Sequence, residues 1–518
     1  MSRPRRRQRG AASATQPAVL IPQLERHILR NRFAPLEPLD EEQLELIHNA
    51  SLTLLEEHGI EVLGEEALAL FRQAGAEVSK EGLVKMEREL VMQTIATAPA
   101  TFSITPRNPD NRLEAGSDVI NFGLVSGPPN VHDAINGRRS GNIADFRKLI
   151  SLGQYFNVIN FFGNQTVAPT DLPANSRHLD TLHACLTLAD KPFFAQGIGA
   201  GRVMDAINMC AIARGISVEA MVDAPGVMTN INVNSPRKLD DSMAYGAMQM
   251  AKYGQAVAVT PFTLMGAMTP ATLGGALAQQ NAEALIGVAL TQLTRPGAPV
   301  IYGGFTSNVD MRSGSPAFGT PENSLANMVG GQLARRYNLP YRTSACNASN
   351  TVDAQATYET QMALWGAVMG YGNFIYHAAG WLEGGLVASF EKVVLDCEML
   401  QHMSYLLKPP KIDLDEIGLE AMQAVGPGGH FFGCEHTMAR YKDAFYQPFL
   451  SNWQNYENWQ LSGGKDTTQR ATDLWQKILE QAEAPPLDAA IREELDAYVA
   501  KRQEELGSEE PALVAFDQ

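Results

Sequence analysis

The chain of 518 residues predicts an α/β fold, a (β/α)8 TIM-type barrel with helical N-terminal and C-terminal extensions. Three observations point there. Between residues 119 and 380, eight apolar runs alternate with stretches of helical period, and parallel strands need such crossovers. The runs are apolar almost throughout, as strands buried on both faces must be. Finally, 45% hydrophobic and only 19% charged residues supply a large core. A doubly wound open sheet meets the same three conditions.

Taken in order, residues 40–58 place Leu44, Ile47, Leu52, Leu54 and Leu55 near one helical face after a run of acids, and Gly59 marks the stop. A second short helix is expected over Glu65–Gln73, ending before Gly75. Residues 1–115 are therefore expected to be a basic arm and a helical N-terminal region. The strands expected next are Val119–Val125, Asn157–Val167, Pro192–Ile198, Gly226–Val233, Ala256–Leu264, Pro299–Thr306, Pro340–Cys346 and Asn373–Gly380. Helices fall near 143–154, 174–190, 202–214, 237–253, 274–294, 321–338 and 353–370, which makes 116–390 the barrel. A helix near 391–407, a Gly-rich stretch at 426–433 and later aromatic and acidic helices make 391–518 a helical C-terminal region packed on the barrel.

Composition narrows the partners. Net charge is −16 although Arg3, Arg5, Arg6, Arg7 and Arg9 open the chain, so the body is strongly acidic and nucleic acid is not the expected partner. Five scattered cysteines (Cys185, Cys210, Cys346, Cys397, Cys434) lack any CxxC spacing, which fits a reducing, cytoplasmic setting. No apolar run is long enough for a membrane span, and the Arg-rich start has no apolar core of a secretory signal. The low charge fraction with 44 glycines suggests surface hidden inside a large fold or a homo-oligomer, the latter being expected.

Several motifs point nowhere special. FFAQGIGAGR (193–202) imitates a dinucleotide fingerprint, but Arg202 stands where the last glycine is needed, and a tight βα turn explains it. The ten histidines form no HExxH and no spaced set of three ligands, so no metal is expected. There is no GxSxG elbow. What remains are the loops after the barrel strands, where barrel enzymes place their sites. Loop 307–322 is long and polar, with Thr320 and Pro321 opening the next helix; loop 347–359 is rich in amides and hydroxyls. The stretch NFIYHAAGWLEGG (373–385) gathers Phe374, Tyr376, His377, Trp381 and Glu383, a composition suited either to aromatic packing or to a cation–π box for a quaternary ammonium.

HDAINGRRSG with IADF (132–146), VDMRSGSPAFGTPE (309–322), VDAQATYE (352–359), VGPGGHFFGCEHT (425–437) and YQPFLSNWQNYENWQLSGGKD (446–466) resemble the trimethylamine methyltransferase family. The resemblance runs end to end and favours the barrel over the open sheet. It implies a methyltransferase that moves a methyl group from a quaternary amine, glycine betaine or a related betaine, to the Co(I) corrinoid of a separate corrinoid protein. Family members from methanogens that act on trimethylamine carry pyrrolysine in the barrel. Every residue here is standard, which resembles the glycine betaine branch. No cofactor is expected on this chain: cobalamin would come with the partner, since no histidine follows an aspartate in the D-x-H-x-x-G pattern of corrinoid proteins. Two other readings stay open, a non-catalytic quaternary-amine binding protein on the same barrel and a folate-linked barrel methyltransferase.

On this reading Trp381, with Phe305, Tyr376 and His377, would wall the substrate cation. Asn164, Asn232, Asn347 and Gln355 would bond a betaine carboxylate. Asp310 and Arg312, with His430 and Glu435 beside the Gly-rich stretch, would form the rim where the corrinoid protein docks. No residue is assigned as acid or base, because a quaternary nitrogen leaves as a neutral amine and needs positioning more than activation.

Overall fold

Backbone hydrogen bonds gather seven of the eight apolar runs into one parallel set in the computed structural model, which describes residues 21–163 and 165–507. They are β1 (Val119–Leu124), β2 (Phe194–Gln196), β3 (Met228–Ile231), β4 (Ala256–Val259), β5 (Val300–Gly303), β6 (Tyr341–Ser344) and β7 (Phe374–Ala379). Their order across the sheet is β1, β7, β6, β5, β4, β3, β2, and Leu29–Arg30 adds an eighth, antiparallel strand on the other edge of β1. The fold is thus α/β on a curled eight-stranded sheet. Every residue of β1, β4, β5, β6 and β7 is buried, the double-sided burial that their apolar sequences demand.

The remaining expected strand, Asn157–Val167, does not form as one. Phe161 makes a single parallel bridge to Gly123 of β1, and Phe162 one to Phe193 beside β2. The Asn160 side chain accepts the backbone N–H of Phe122 at 2.8 Å, taking a donor that a ladder would use. Two other expected strands are cut short. Pro261 has no N–H to donate, so Ala256–Leu264 divides into β4 and Phe262–Met265. Pro299–Thr306 divides likewise at Gly304 into β5 and Phe305–Val309. The two detached halves pair with each other in parallel, and Pro316–Ala317 folds back on Phe305–Val309 as a hairpin.

The crossover helices stand where their periodicity places them: α1 (Ile143–Tyr155), α2 (Arg177–Leu188), α3 (Ala200–Arg214), α4 (Asp241–Lys252), α5 (Leu273–Thr294), α6 (Pro321–Arg336), α7 (Ala354–Met369) and α8 (Phe390–Leu406). Asn142, Asp240, Thr320, Asp353 and Ser389 cap α1, α4, α6, α7 and α8 by accepting the first free backbone N–H groups. The glycines before α3 serve the turn: Gly199 has φ +81°, and a Cβ on Gly197 would stand 2.6 Å from Thr229 Oγ1.

The N-terminal helix Glu41–Thr53, boxed by Asp40 and Gln43, lies on α5 and buries its outer face; Ser51 donates to the Ala278 carbonyl at 2.9 Å and accepts from Asn281 Nδ2 at 2.9 Å. The region expected to be helical also holds short strands, Ile60–Val62, Glu77–Val78 and Leu83–Lys85, too brief to show a period. At the other end, Thr467–Gln481 packs on α8, with Trp475 Nε1 donating to Glu391 at 2.9 Å. Ala489–Leu506 packs on α2 and α3, where Tyr498 and Arg502 both donate to Asp205 Oδ1 at 2.8 Å. Residues 409–445, between α8 and Thr467–Gln481, stand largely in solvent: Leu414, Phe432 and Phe445 are among the exposed side chains, and none of the segment's apolar residues joins the core.

The contact of α4 with the turn after β2 is close enough to test. A Cβ on Gly246 would lie 2.1 Å from the Gly197 carbonyl oxygen. Gly246→Ala should therefore cost about 1–3 kcal/mol through overpacking, read as a lower urea midpoint at unchanged slope.

Candidate functional site

The site grows from an irregularity in β7. His377 holds φ +55°, a left-handed backbone that non-glycine residues seldom adopt, and the pairing of β7 with β1 shifts register between Ile375 and Ala379. In a regular strand Tyr376 and His377 would face opposite sides. Here their rings meet at 5.4 Å. Tyr376 packs into the interior against Phe194 (4.7 Å) and Phe161 (5.1 Å), while His377 lies over Trp381 at 4.1 Å and faces Phe305 at 5.4 Å.

The detached strand and hairpin bring the other rings. Phe305 starts the strand that follows β5, and Phe318, on the returning limb, stacks on it at 5.1 Å and 20°. Phe305 and Phe318 meet Trp381 edge-on at 6.0 and 6.2 Å. Trp381 is fixed by reciprocal bonds: its Nε1 donates to the Asn347 carbonyl at 3.1 Å, and Asn347 Nδ2 donates to the Trp381 carbonyl at 2.6 Å and to Thr360 at 3.1 Å. Behind them Lys392 of α8 pairs with Asp396 and donates to Thr360, and Asp396 accepts from the Gly380 N–H at 2.9 Å.

Into this group projects Arg342 of β6, only 3% exposed. Its guanidinium lies 4.4 Å from the Tyr376 ring centre and 5.4 Å from that of Phe305. Nη1 donates to Ser344 at 3.0 Å, and Nε is buried without a partner. Burial lowers its pKa to about 10, which still leaves it cationic at neutral pH.

Cys346 Sγ and His377 Nδ1 lie 3.9 Å apart, which invites a thiolate–imidazolium reading. The chemistry opposes it. Burial pushes the Cys346 thiol up to about 12, and burial with the nearby Arg342 charge drives His377 well below its ordinary 6.5. Both are neutral, and a thiol is not the nucleophile that a thiolate is.

The structure thus brings together Trp381, Phe305, Tyr376, His377 and Asn347. Both amide hydrogens of Asn347 are committed to Trp381 and Thr360, and its Oδ1 is buried without a partner. Asn232 accepts from Asn230 at 3.0 Å. Asn164 lies outside the described residues. Gln355 stands on the exposed face of α7, donating to Glu359 at 2.8 Å, apart from the rings. Glu383 is bonded to Arg138 at 3.0 Å. Asp310 and Arg312 occupy the exposed hairpin tip, where Asp310 accepts from Ser313 Oγ at 2.6 Å; His430 and Glu435 are exposed in the 409–445 segment. Sequence reasoning missed Phe318 and Arg342. A polar strand residue, Arg342, amid YRTSAC was the available signal for the second.

Among the described residues no group of three or more His, Cys, Asp or Glu is placed to hold a metal ion, and no helix is long and apolar enough to cross a membrane.

The fold and site define an α/β protein with a neutral aromatic wall beside one buried cation. The chain belongs to the trimethylamine methyltransferase (MTTB) family, whose pattern matches residues 2–507. It is 36% identical over 427 residues to the glycine betaine methyltransferase of Desulfitobacterium hafniense (strain Y51), covering 82% of this chain and 89% of that one. It is 28% identical over 436 residues to the trimethylamine methyltransferase MttB of D. hafniense (strain DSM 10664 / DCB-2), covering 83% and 86%. It is 29% identical over 393 residues to the proline betaine:corrinoid methyltransferase of Eubacterium limosum, covering 72% and 78%.

The neutral state of His377 has a measurable consequence. Below about pH 6.5 the unfolded chain protonates this histidine while the folded chain does not, so acidification favours unfolding. The ¹⁵N signals of His377 should remain those of a neutral imidazole as the pH falls through about 6.5, and His377→Gln should reduce the loss of stability on acidification.

Proposed function

We propose that the chain is a methyltransferase that moves a methyl group from a quaternary amine, glycine betaine or a related betaine, to the Co(I) corrinoid of a separate corrinoid protein. The observation that carries this reading is the ring wall of Phe305, His377 and Trp381 at the ends of the strands. A quaternary ammonium has no proton to donate, so its recognition falls to π faces and desolvation, and neutral rings are what it needs. The activities of the two betaine relatives support the same substrate class.

The scaffold that fits is a closed (β/α)8 barrel in which Phe161 and Phe162 complete the circle between β1 and β2, flanked by an N-terminal region (1–115) and a C-terminal region (391–518). The single bridges from Phe161 to Gly123 and from Phe162 to Phe193 support closure. The site then lies at the C-terminal mouth, as in barrel enzymes generally.

The reduced corrinoid, a substrate carried by the partner, supplies the nucleophile. In the transfer one N–CH3 bond breaks, its electron pair stays on nitrogen, and the tertiary amine leaves neutral. No proton moves, which agrees with a wall of neutral side chains. Trp381, Phe305, His377 and Tyr376 orient the ammonium and exclude water, and Asn347 positions Trp381. Asn232 stays a candidate for the ligand's carboxylate, as the sequence leads one to expect of Asn164 as well. The partner approaches over the hairpin tip at Asp310 and Arg312, because that hairpin's base carries Phe305 and Phe318. The exposed apolar segment with His430 and Glu435 extends this rim.

The test is a methyl-transfer assay with glycine betaine and a reduced cognate corrinoid protein, following dimethylglycine. Product should form only with both present. A non-catalytic binder would take up betaine and yield nothing, and a folate-linked enzyme would turn over with folate alone. Trp381→Ala should weaken betaine binding by about 1–2 kcal/mol from the lost cation–π contact, measured by calorimetry.

A further inference from the structure

Among the described residues Lys191, Lys392 and Arg342 are buried cations, and the first two are accounted for by their neighbours. Lys191 donates to the carbonyls of Gly153 and Phe156 at 2.9 and 2.7 Å. Lys392 is paired with Asp396 and bonded to Thr360. Arg342 is different. Among the described residues no carboxylate pairs with it. Its hydrogen bonds are to neutral atoms, Ser344 Oγ at 3.0 Å and the Gly304 carbonyl at 3.5 Å, and its Nε–H is buried with no acceptor. The titratable groups acting on it are Tyr376, Cys346 and Tyr341, all held neutral by burial. A buried charge without a counter-ion is expensive to maintain, and cation–π contact offsets only part of that cost.

We infer that Arg342 is a carboxylate-binding site, and that it selects zwitterionic betaines over quaternary amines lacking an acid group. The inference rests on the methyl-transfer reading only for the identity of the ligand. Its geometry is independent: the Phe305 ring has Arg342 5.4 Å away and Trp381 6.0 Å away, so a cationic group and the aromatic wall adjoin the same ring. A plain cation there would be repelled by the guanidinium. A betaine laid with its carboxylate toward the open Nε–H and its ammonium toward Trp381 and His377 matches both charges and gives the guanidinium its missing counter-ion. Asn347 itself has no hydrogen left to donate to the carboxylate. Arg342 binds and orients the ligand; no bond is made or broken at it.

The experiment is calorimetric titration of the full chain with glycine betaine and with its carboxamide, which keeps the quaternary head and loses the negative charge. The wild-type protein should bind betaine at least tenfold more tightly than the carboxamide, as a charge-assisted bond to a desolvated guanidinium requires. Arg342→Gln should bring the two ligands to within about twofold, chiefly by weakening betaine, and Arg342→Lys should retain part of the preference. Equal wild-type binding of both ligands, or a preference surviving Arg342→Gln, overturns the proposal. Should the glutamine variant fail to fold, the wild-type comparison decides alone. Betaine binding that depends on Arg342 without any methyl transfer would uphold the anion site and sink the methyltransferase reading.

Discussion

A histidine held at φ +55° in the last parallel strand is the constraint on which the ring wall depends. Such backbone costs of order 1–3 kcal/mol for a non-glycine residue and persists only where its surroundings over-determine it. They do so here. On one side β7 is laddered to β6 and β1; on the other, Asp396 grips the Gly380 N–H. What the strain secures is two consecutive aromatic residues usable at once, Tyr376 closing the interior floor and His377 facing the open wall. A regular strand would have turned one of them into the helix layer.

The second organising feature is electrical asymmetry. The rings present faces of negative quadrupole, the imidazole and thiol are neutral, and the Arg342 charge, unpaired among the described residues, is positive and set to one side. Acids near the mouth are engaged elsewhere: Glu383 by Arg138, Asp396 by Lys392, and Glu359 by the backbone N–H groups of Ala348 and Ser349 at 2.9 and 3.1 Å. An acid loose among the rings would bind a cation tightly as an ion pair and would neutralise Arg342. Its absence from the described wall suits a ligand carrying both charges, of which only the ammonium end reacts.

Much of this was legible in the sequence. Helices with capping residues and three or more turns fell within a few residues of their periodicity, because local signals such as Thr320–Pro321 fix their starts. The strands were located but overextended. Apolar character continues past Pro261 and Gly304, and a run of letters does not reveal that a missing donor or a bend moves Phe262 and Phe305 into a different sheet. Asn157–Val167 read as a strand for the same reason, since its interruption is made by a side chain, Asn160, from within the run. Trp381 and His377, singled out by the position of loop eight, lie ring on ring at 4.1 Å. Phe318 was not singled out, because loop 307–322 looked irregular and its hairpin rests on only two residue pairs, Asn308 with Ala317 and Val309 with Pro316. Arg342 was passed over because its meaning is a property of what fails to surround it, and only three dimensions show that.

The most direct measurement is a crystal structure of the chain with glycine betaine bound. The account predicts the carboxylate within hydrogen-bonding distance of the Arg342 guanidinium and the trimethylammonium against Trp381, Phe305 and His377, with one N–CH3 bond directed outward toward the hairpin side. A betaine bound away from these rings, or with its ammonium beside Arg342 and its carboxylate outward, would contradict it.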